Sequence, residues 1–142
     1  MRVSIKRVDK DLPLPQYKTA GAAAMDCTVR EDAIIAPGEL KRVPLNIIIK
    51  PPRGHFILLV ARGSLHKRGL MMGNSVGIGD EDFAGDKDEY MAPLYNFGKE
   101  PVEVKRGERV VQILILPFDR VEWEEVEHMD EPNRGAFGTT GI

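Results

Sequence analysis

The stretch GIGDEDFAGD, residues 77–86, sets three glycines and four acids around one aromatic, Phe83. A carboxylate held in a tight, glycine-bounded hairpin can take a proton from a water bound beside a substrate. The same composition also makes an ordinary solvated turn. Four other stretches carry more Gly, Arg, Asp and Ser than a strand connection needs: AGAAAMDC (20–27), ARGSLHKRGL (61–70), RGERVVQ (106–112) and the tail NRGAFGTTGI (133–142). Taken singly, each has a plain reading. Asp26 can cap a turn, Arg62 can form a surface ion pair, and Gln112 can be a polar residue of an edge strand. The tail is unusual, because Arg134 and Phe137 stand in a segment whose glycine and threonine otherwise read as mobile. His55, His66 and His128 are scattered beside the lone Cys27, without the spacing of a zinc site.

The elements that must position these residues read as all-β. RVSIKRV places Val3 and Ile5 on one face at period two, and NIIIK and HFILLVA are short β-rich runs. Pro51, Pro52 and Gly54 punctuate the chain between those two runs. Pro37 and Gly38 form a second turn signal. EPVEVKRGERVVQILILPF gives two further strands around Lys105–Glu108. No window of twelve residues has a convincing helical period with caps. Turn signals about every ten residues favour a sandwich, barrel or jelly roll.

Size and charge narrow the function classes. With 142 residues and a net charge of −2, the chain reads as one domain with an ordinary soluble surface. A chain of this length buries roughly 70% of its unfolded surface and needs no staples. There is no basic face for nucleic acid. No apolar run is long enough to span a membrane. One cysteine permits no intrachain disulfide, which fits a cytoplasmic location.

Taken together and in order, the five stretches resemble the motifs of the homotrimeric dUTP pyrophosphatase (dUTPase) family. The first is Ala23-Ala24-Met25-Asp26. The second is Arg62-Gly63-Ser64-Leu65. The third is the 77–86 stretch with Asn74 ahead of it. The fourth is Gly107-Glu108-Arg109-Val110-Val111-Gln112, followed by Pro117. The fifth is Arg134-Gly135-Ala136-Phe137-Gly138-Thr139-Thr140-Gly141. The match spans residues 20–141. It implies a single all-β domain, a distorted jelly roll of the dUTPase-like β-clip kind, over residues 1–132. A mobile C-terminal arm, 133–142, would close the active site. It also implies a homotrimer with shared active sites, dUTP as substrate, and dUMP and pyrophosphate as products.

The same resemblance assigns roles. Asp80 is the base that activates water for attack on the α-phosphorus. Gly77 and Gly79 let the backbone approach the nucleoside and permit angles that a side chain forbids. Asn74 helps read the uracil edge, for which an amide supplies both donor and acceptor. Phe83 packs beneath the deoxyribose and leaves no room for a 2′-hydroxyl. Arg62, Gly63 and Ser64 offer donors to the phosphates, and Arg134 reaches the terminal one. Phe137 stacks on the uracil. Asp26 and Gln112 steady the waters of a Mg²⁺ ion held mainly by the triphosphate.

The chain departs from the family pattern at several positions. Gly63 stands where serine is usual, Phe83 where tyrosine is usual, and Asp86 where glutamate is common. Gly79 replaces a branched aliphatic, which is expected to loosen the hairpin. DKDEY (86–90) reads as a short loop insertion. Two other readings share the scaffold: a dCTP deaminase-type relative, and a catalytically weak nucleotide-binding or interaction module. The first typically has a glutamate in its pyrimidine pocket, and none stands at the hairpin position of Asp80. The second draws on Gly63 and Gly79.

Overall fold

The computed structural model describes residues 1–138. Thr139, Thr140 and Gly141 of the fifth motif lie outside the described residues. Eleven strands follow in chain order: β1 (Ser4–Arg7), β2 (Met25–Thr28), β3 (Ala33–Ile35), β4 (Leu40–Pro44), β5 (Ile47–Lys50), β6 (His55–Ala61), β7 (Leu70–Met72), β8 (Val76–Gly79), β9 (Met91–Asn96), β10 (Val102–Val104) and β11 (Arg109–Pro117). The helical element of the described residues is a single 3₁₀ turn, Leu65–Arg68. The all-β expectation therefore holds.

Every strand pair is antiparallel. A four-stranded sheet runs β2-β11-β6-β8 and a three-stranded sheet runs β4-β9-β7, with β1-β5 and β3-β10 as two-stranded pieces. Several small sheets closing on one another bury a common core, as a jelly roll does. Ile35, Val43, Leu45, Ile57, Leu94 and Val104 are fully inaccessible. HFILLVA shows how the pattern works. Ile57 and Leu59 point inward while their neighbours are half-buried, because successive strand side chains face opposite ways. Ile47, Ile48 and Ile49 are all buried, so NIIIK is a strand covered on both faces.

Two features of the sheets aim functional side chains. A register shift between Arg109 and Val111 sets Gln112 directly across from Asp26 on β2. Strand β8 pairs with β6 and carries the chain to Gly79, at the mouth of the acidic loop. Val3 and Ile5 share a face as expected, lining one apolar groove with Met25 and Ile115. Beyond β11 no described residue belongs to a strand, and every described residue from Asp119 to Gly138 is exposed.

Candidate active site

The acidic hairpin sorts its own carboxylates. Glu81 accepts a hydrogen bond from the Gly54 amide at 3.0 Å, and Asp86 pairs with Lys6 at 2.9 Å. Asp80 and Asp82 remain without an ion pair or hydrogen-bonded side chain among the described residues. Only Asp80 of these two lines a cavity of about 330 Å³ with Asn74, Gly77, Phe83, Leu59, Arg42 and Tyr90. That volume suits a nucleoside. The geometry thus brings together Asp80, Asn74 and Phe83, to which the resemblance assigns one function.

The glycines act through space. Neither Gly77 nor Gly79 has a positive φ, which corrects the expectation that they supply forbidden backbone angles. A Cβ on Gly77 would lie 3.1 Å from Cβ of Leu59. One on Gly79 would lie 2.1 Å from the Tyr90 hydroxyl. Tyr90 fills the notch that Gly79 leaves, so the hairpin is backed where the sequence predicted looseness. The Phe83 and Tyr90 rings pack edge to face, 5.3 Å between centroids. Burial, and then the nearby Asp80 carboxylate, push the Tyr90 phenol up to about 12.

The 86–90 segment is likewise anchored. The Asp88 carboxylate accepts from the Gly85 amide at 2.7 Å. Glu89 accepts from Arg30 Nε at 2.8 Å and Nη2 at 2.9 Å, and from the Asn46 amide at 2.9 Å. Asn46 is fully buried at φ 67°, a left-handed conformation asparagine tolerates. The expected insertion thereby leads straight into the residue that supports the hairpin.

A second group gathers at the β2, β6 and β11 ends. Asp26, Arg62, Gly63, Ser64, Gln112 and Lys18 line a cavity of about 390 Å³. Arg62 Nε lies 2.9 Å from Asp26 Oδ1, and Arg109 Nη1 donates to Asp26 Oδ2 at 3.1 Å. Arg62 Nη1 also donates to the Arg109 carbonyl, and Gln112 Nε2 donates to the Ala61 carbonyl. This network orients the Arg62 fork and leaves the Gln112 amide oxygen as an acceptor. Ser64 precedes the 3₁₀ turn without a capping bond from its hydroxyl. Lys18, on the cavity wall, and Arg109, paired with Asp26, join the residues that the motif reading assigns. Arg109 lay within the fourth motif, whereas no local signal marked Lys18.

A Cβ on Gly63 meets nothing within 4 Å, and its φ is not positive. Within the chain, Gly63→Ser therefore has room for its Cβ. If the hydroxyl usual at this position limits the rate, the substitution raises kcat, since a preorganised donor to a developing oxyanion is worth about 3 kcal/mol. A steady-state assay with an unchanged or lower kcat would assign that role to Ser64 or a backbone amide.

Arg134 and Phe137 join neither cavity. Both are exposed, Phe137 completely so. Within one chain the site residues thus form three separate groups.

Comparison with known proteins agrees with the motif reading. The dUTPase family model matches residues 10–141. The deoxyuridine 5′-triphosphate nucleotidohydrolase of Dictyoglomus turgidum is 40% identical, covering 100% of this chain and 99% of its own. That of Pseudomonas aeruginosa strain UCBPP-PA14 is 38% identical, over 95% and 91% of the two chains. The crystal structure of dUTPase from Streptococcus mutans superposes with a TM-score of 0.76 at 30% identity, covering 84% of this chain and 98% of that one. A Staphylococcus bacteriophage 80alpha dUTPase shares the fold, with a TM-score of 0.86 at 18% identity and 99% of each chain covered. A family match over nearly the whole length, on a fold that sets Asp80, Asn74 and Phe83 around one cavity, makes this chain a member of the dUTPase family.

Proposed function

We propose that the protein hydrolyses dUTP to dUMP and pyrophosphate, with Asp80 activating a water for attack on the α-phosphorus. The observation that carries this reading is the Asp80 carboxylate, unpaired among the described residues, on the wall of a nucleoside-sized cavity with Asn74 and Phe83. Water is a poor nucleophile at neutral pH, so a positioned base lowers the barrier. Backbone of β8, bared by Gly77, faces the base with the Asn74 amide. Phe83 lies under the sugar, and its flat face excludes a 2′-hydroxyl by shape without needing a phenol. Arg62, Ser64 and the Gly63 amide take the phosphates.

Phosphoryl transfer rests mostly on positioning and charge stabilisation. Among the described residues no three His, Cys, Asp or Glu side chains cluster as a metal cage. Asp26 is already paired with Arg62 and Arg109. This donor set fits Mg²⁺ reached through water, with Asp26 and the Gln112 amide oxygen holding those waters. When bound, the ion neutralises triphosphate charge.

The separation of the Asp80 cavity from the Arg62 cavity within one chain supports a homotrimer in which subunits share each site. The arm, residues 133–142, then closes over the nucleotide, with Phe137 on the uracil and Arg134 on the terminal phosphate. No helix among the described residues is long and apolar enough to cross a membrane. Cys27 is buried, and its thiol is pushed up to about 12 by desolvation. A lone inert thiol suits the reducing cytoplasm, where we place the enzyme.

The test is product analysis with dUTP, dCTP and UTP in the presence of Mg²⁺. dUMP and pyrophosphate from dUTP, with little from UTP, are expected. Ammonia from dCTP would indicate a deaminase. Nucleotide binding without turnover would indicate a binding module.

A further inference from the structure

Tyr90 is the best-buried polar side chain at the nucleoside cavity that the reaction itself does not use. It is 5% exposed, and its hydroxyl is buried without a hydrogen-bond partner among the described residues. A buried orphan hydroxyl is unfavourable, so something other than that hydroxyl's bonding accounts for the ring's place. The place is sharply defined. The Tyr90 amide donates to the Ile47 carbonyl at 2.9 Å, and its carbonyl accepts from the Leu45 amide at 3.0 Å. Its neighbour Glu89 is clamped by Arg30. These bonds fix the backbone of Tyr90 to the core strand β5 and its lead-in.

From that anchor the ring reaches two residues of the hairpin. A Cβ at Gly79 would meet Tyr90 Cε1 at 2.6 Å and Cζ at 2.7 Å, so ring and glycine are mutually exclusive with any larger pair. The ring also meets Phe83 edge to face, 5.3 Å between centroids. Phe83 itself is 39% exposed, too open to be held by the core alone. Its position follows from what stands behind it.

We propose that Tyr90 is a positioning residue that sets sugar specificity: paired with Gly79, its ring fixes Phe83 against the sugar and keeps the space for a 2′-hydroxyl closed. The inference rests on the nucleoside reading of this cavity. Without the ring, Phe83 sinks toward the vacated volume and the cavity admits a ribonucleotide. A branched side chain at position 79 would fill the same volume from the strand side.

The experiment compares kcat/KM for dUTP and UTP in the wild type, Tyr90→Phe, Tyr90→Leu and the double variant Gly79→Ile/Tyr90→Leu. The wild-type ratio is read first. A wild type that does not prefer dUTP would overturn the nucleoside reading itself. Given that preference, Tyr90→Leu lowers the dUTP/UTP ratio about tenfold, partly by raising kcat/KM for UTP; pocket-shape changes act on this scale. Tyr90→Phe keeps the ratio, because the ring and not the hydroxyl does the positioning. The double variant recovers most of it. A merely structural role lowers both substrates alike and leaves the ratio where it was, and that result in Tyr90→Leu would overturn the proposal. So would an equal loss of ratio in Tyr90→Phe, or no recovery in the double variant. Should Tyr90→Leu alone not fold, the double variant against Gly79→Ala, whose Cβ displaces the ring, carries the same comparison: a low ratio in Gly79→Ala and a high one in the double variant support the pairing, and equal ratios overturn it.

Discussion

Asp80→Asn removes nearly all dUTP hydrolysis and leaves dUTP binding largely intact. The amide has the size of the carboxylate and keeps hydrogen-bonding capacity, but it cannot take a proton from water. General-base contributions are on the order of 10²–10⁴-fold, and kcat should fall within that range. Binding persists because the cavity is shaped by other groups: the bared β8 backbone at Gly77, the Asn74 amide and the Phe83 ring all line it with Asp80. Steady-state pyrophosphate release gives kcat, and calorimetric titration of the variant with dUTP gives the affinity. A variant keeping more than a tenth of the wild-type kcat would rule Asp80 out as the base. Asp82→Asn is the informative control. Asp82 is an acid of the same loop, but it does not line this cavity, so its amide should leave kcat within the same order of magnitude.

How much of this was legible before folding depends on the range of each interaction. NIIIK and HFILLVA announce strands because β-branched and aromatic runs between Pro and Gly have few other uses, and both form as read. Gly107 marks its turn and adopts φ 87° there. Asp80 is singled out among the four acids by its place in the third motif, since the local composition alone also fits a solvated turn. The fold adds what local sequence does not hold: Gly54 engages Glu81, Lys6 engages Asp86, and of the remaining two acids Asp80 alone lines the cavity with Asn74 and Phe83. The meeting of Gln112 with Asp26 depends on β11 pairing with β2 and on a register shift, neither of which local composition encodes. Tyr90 was invisible for a related reason. Its function exists only in the volume that Gly79 lacks, and a missing side chain signals nothing until the residue that fills it is known. The cue available was a pair of departures, a glycine in place of a branched aliphatic and an insertion ending in an aromatic.

Two inactive proteins should restore activity to each other: an Asp80→Ala chain and a chain truncated before Asn133. Every described residue of the arm is exposed, Phe137 fully so. A segment with so few apolar groups cannot fold alone. Stacking of an aromatic on a base is worth roughly 1–3 kcal/mol, enough to order a short arm once a nucleotide is bound. Asp80 and Arg62 line separate cavities within one chain, which supports the proposed homotrimer whose subunits share each site, base and arm coming from different chains. Denaturing the two proteins together and refolding them at equal ratio produces mixed rings. If base and arm of a site come from different chains, each is intact in about half of the sites, and independent assortment makes about a quarter complete. Pyrophosphate release should then reach about a quarter of that of a wild-type sample refolded in parallel. If each arm closes over the base of its own chain, every site lacks one part or the other. A mixture as inactive as its parents, beside a recovered wild-type control, would overturn the shared site while leaving Asp80 as the base.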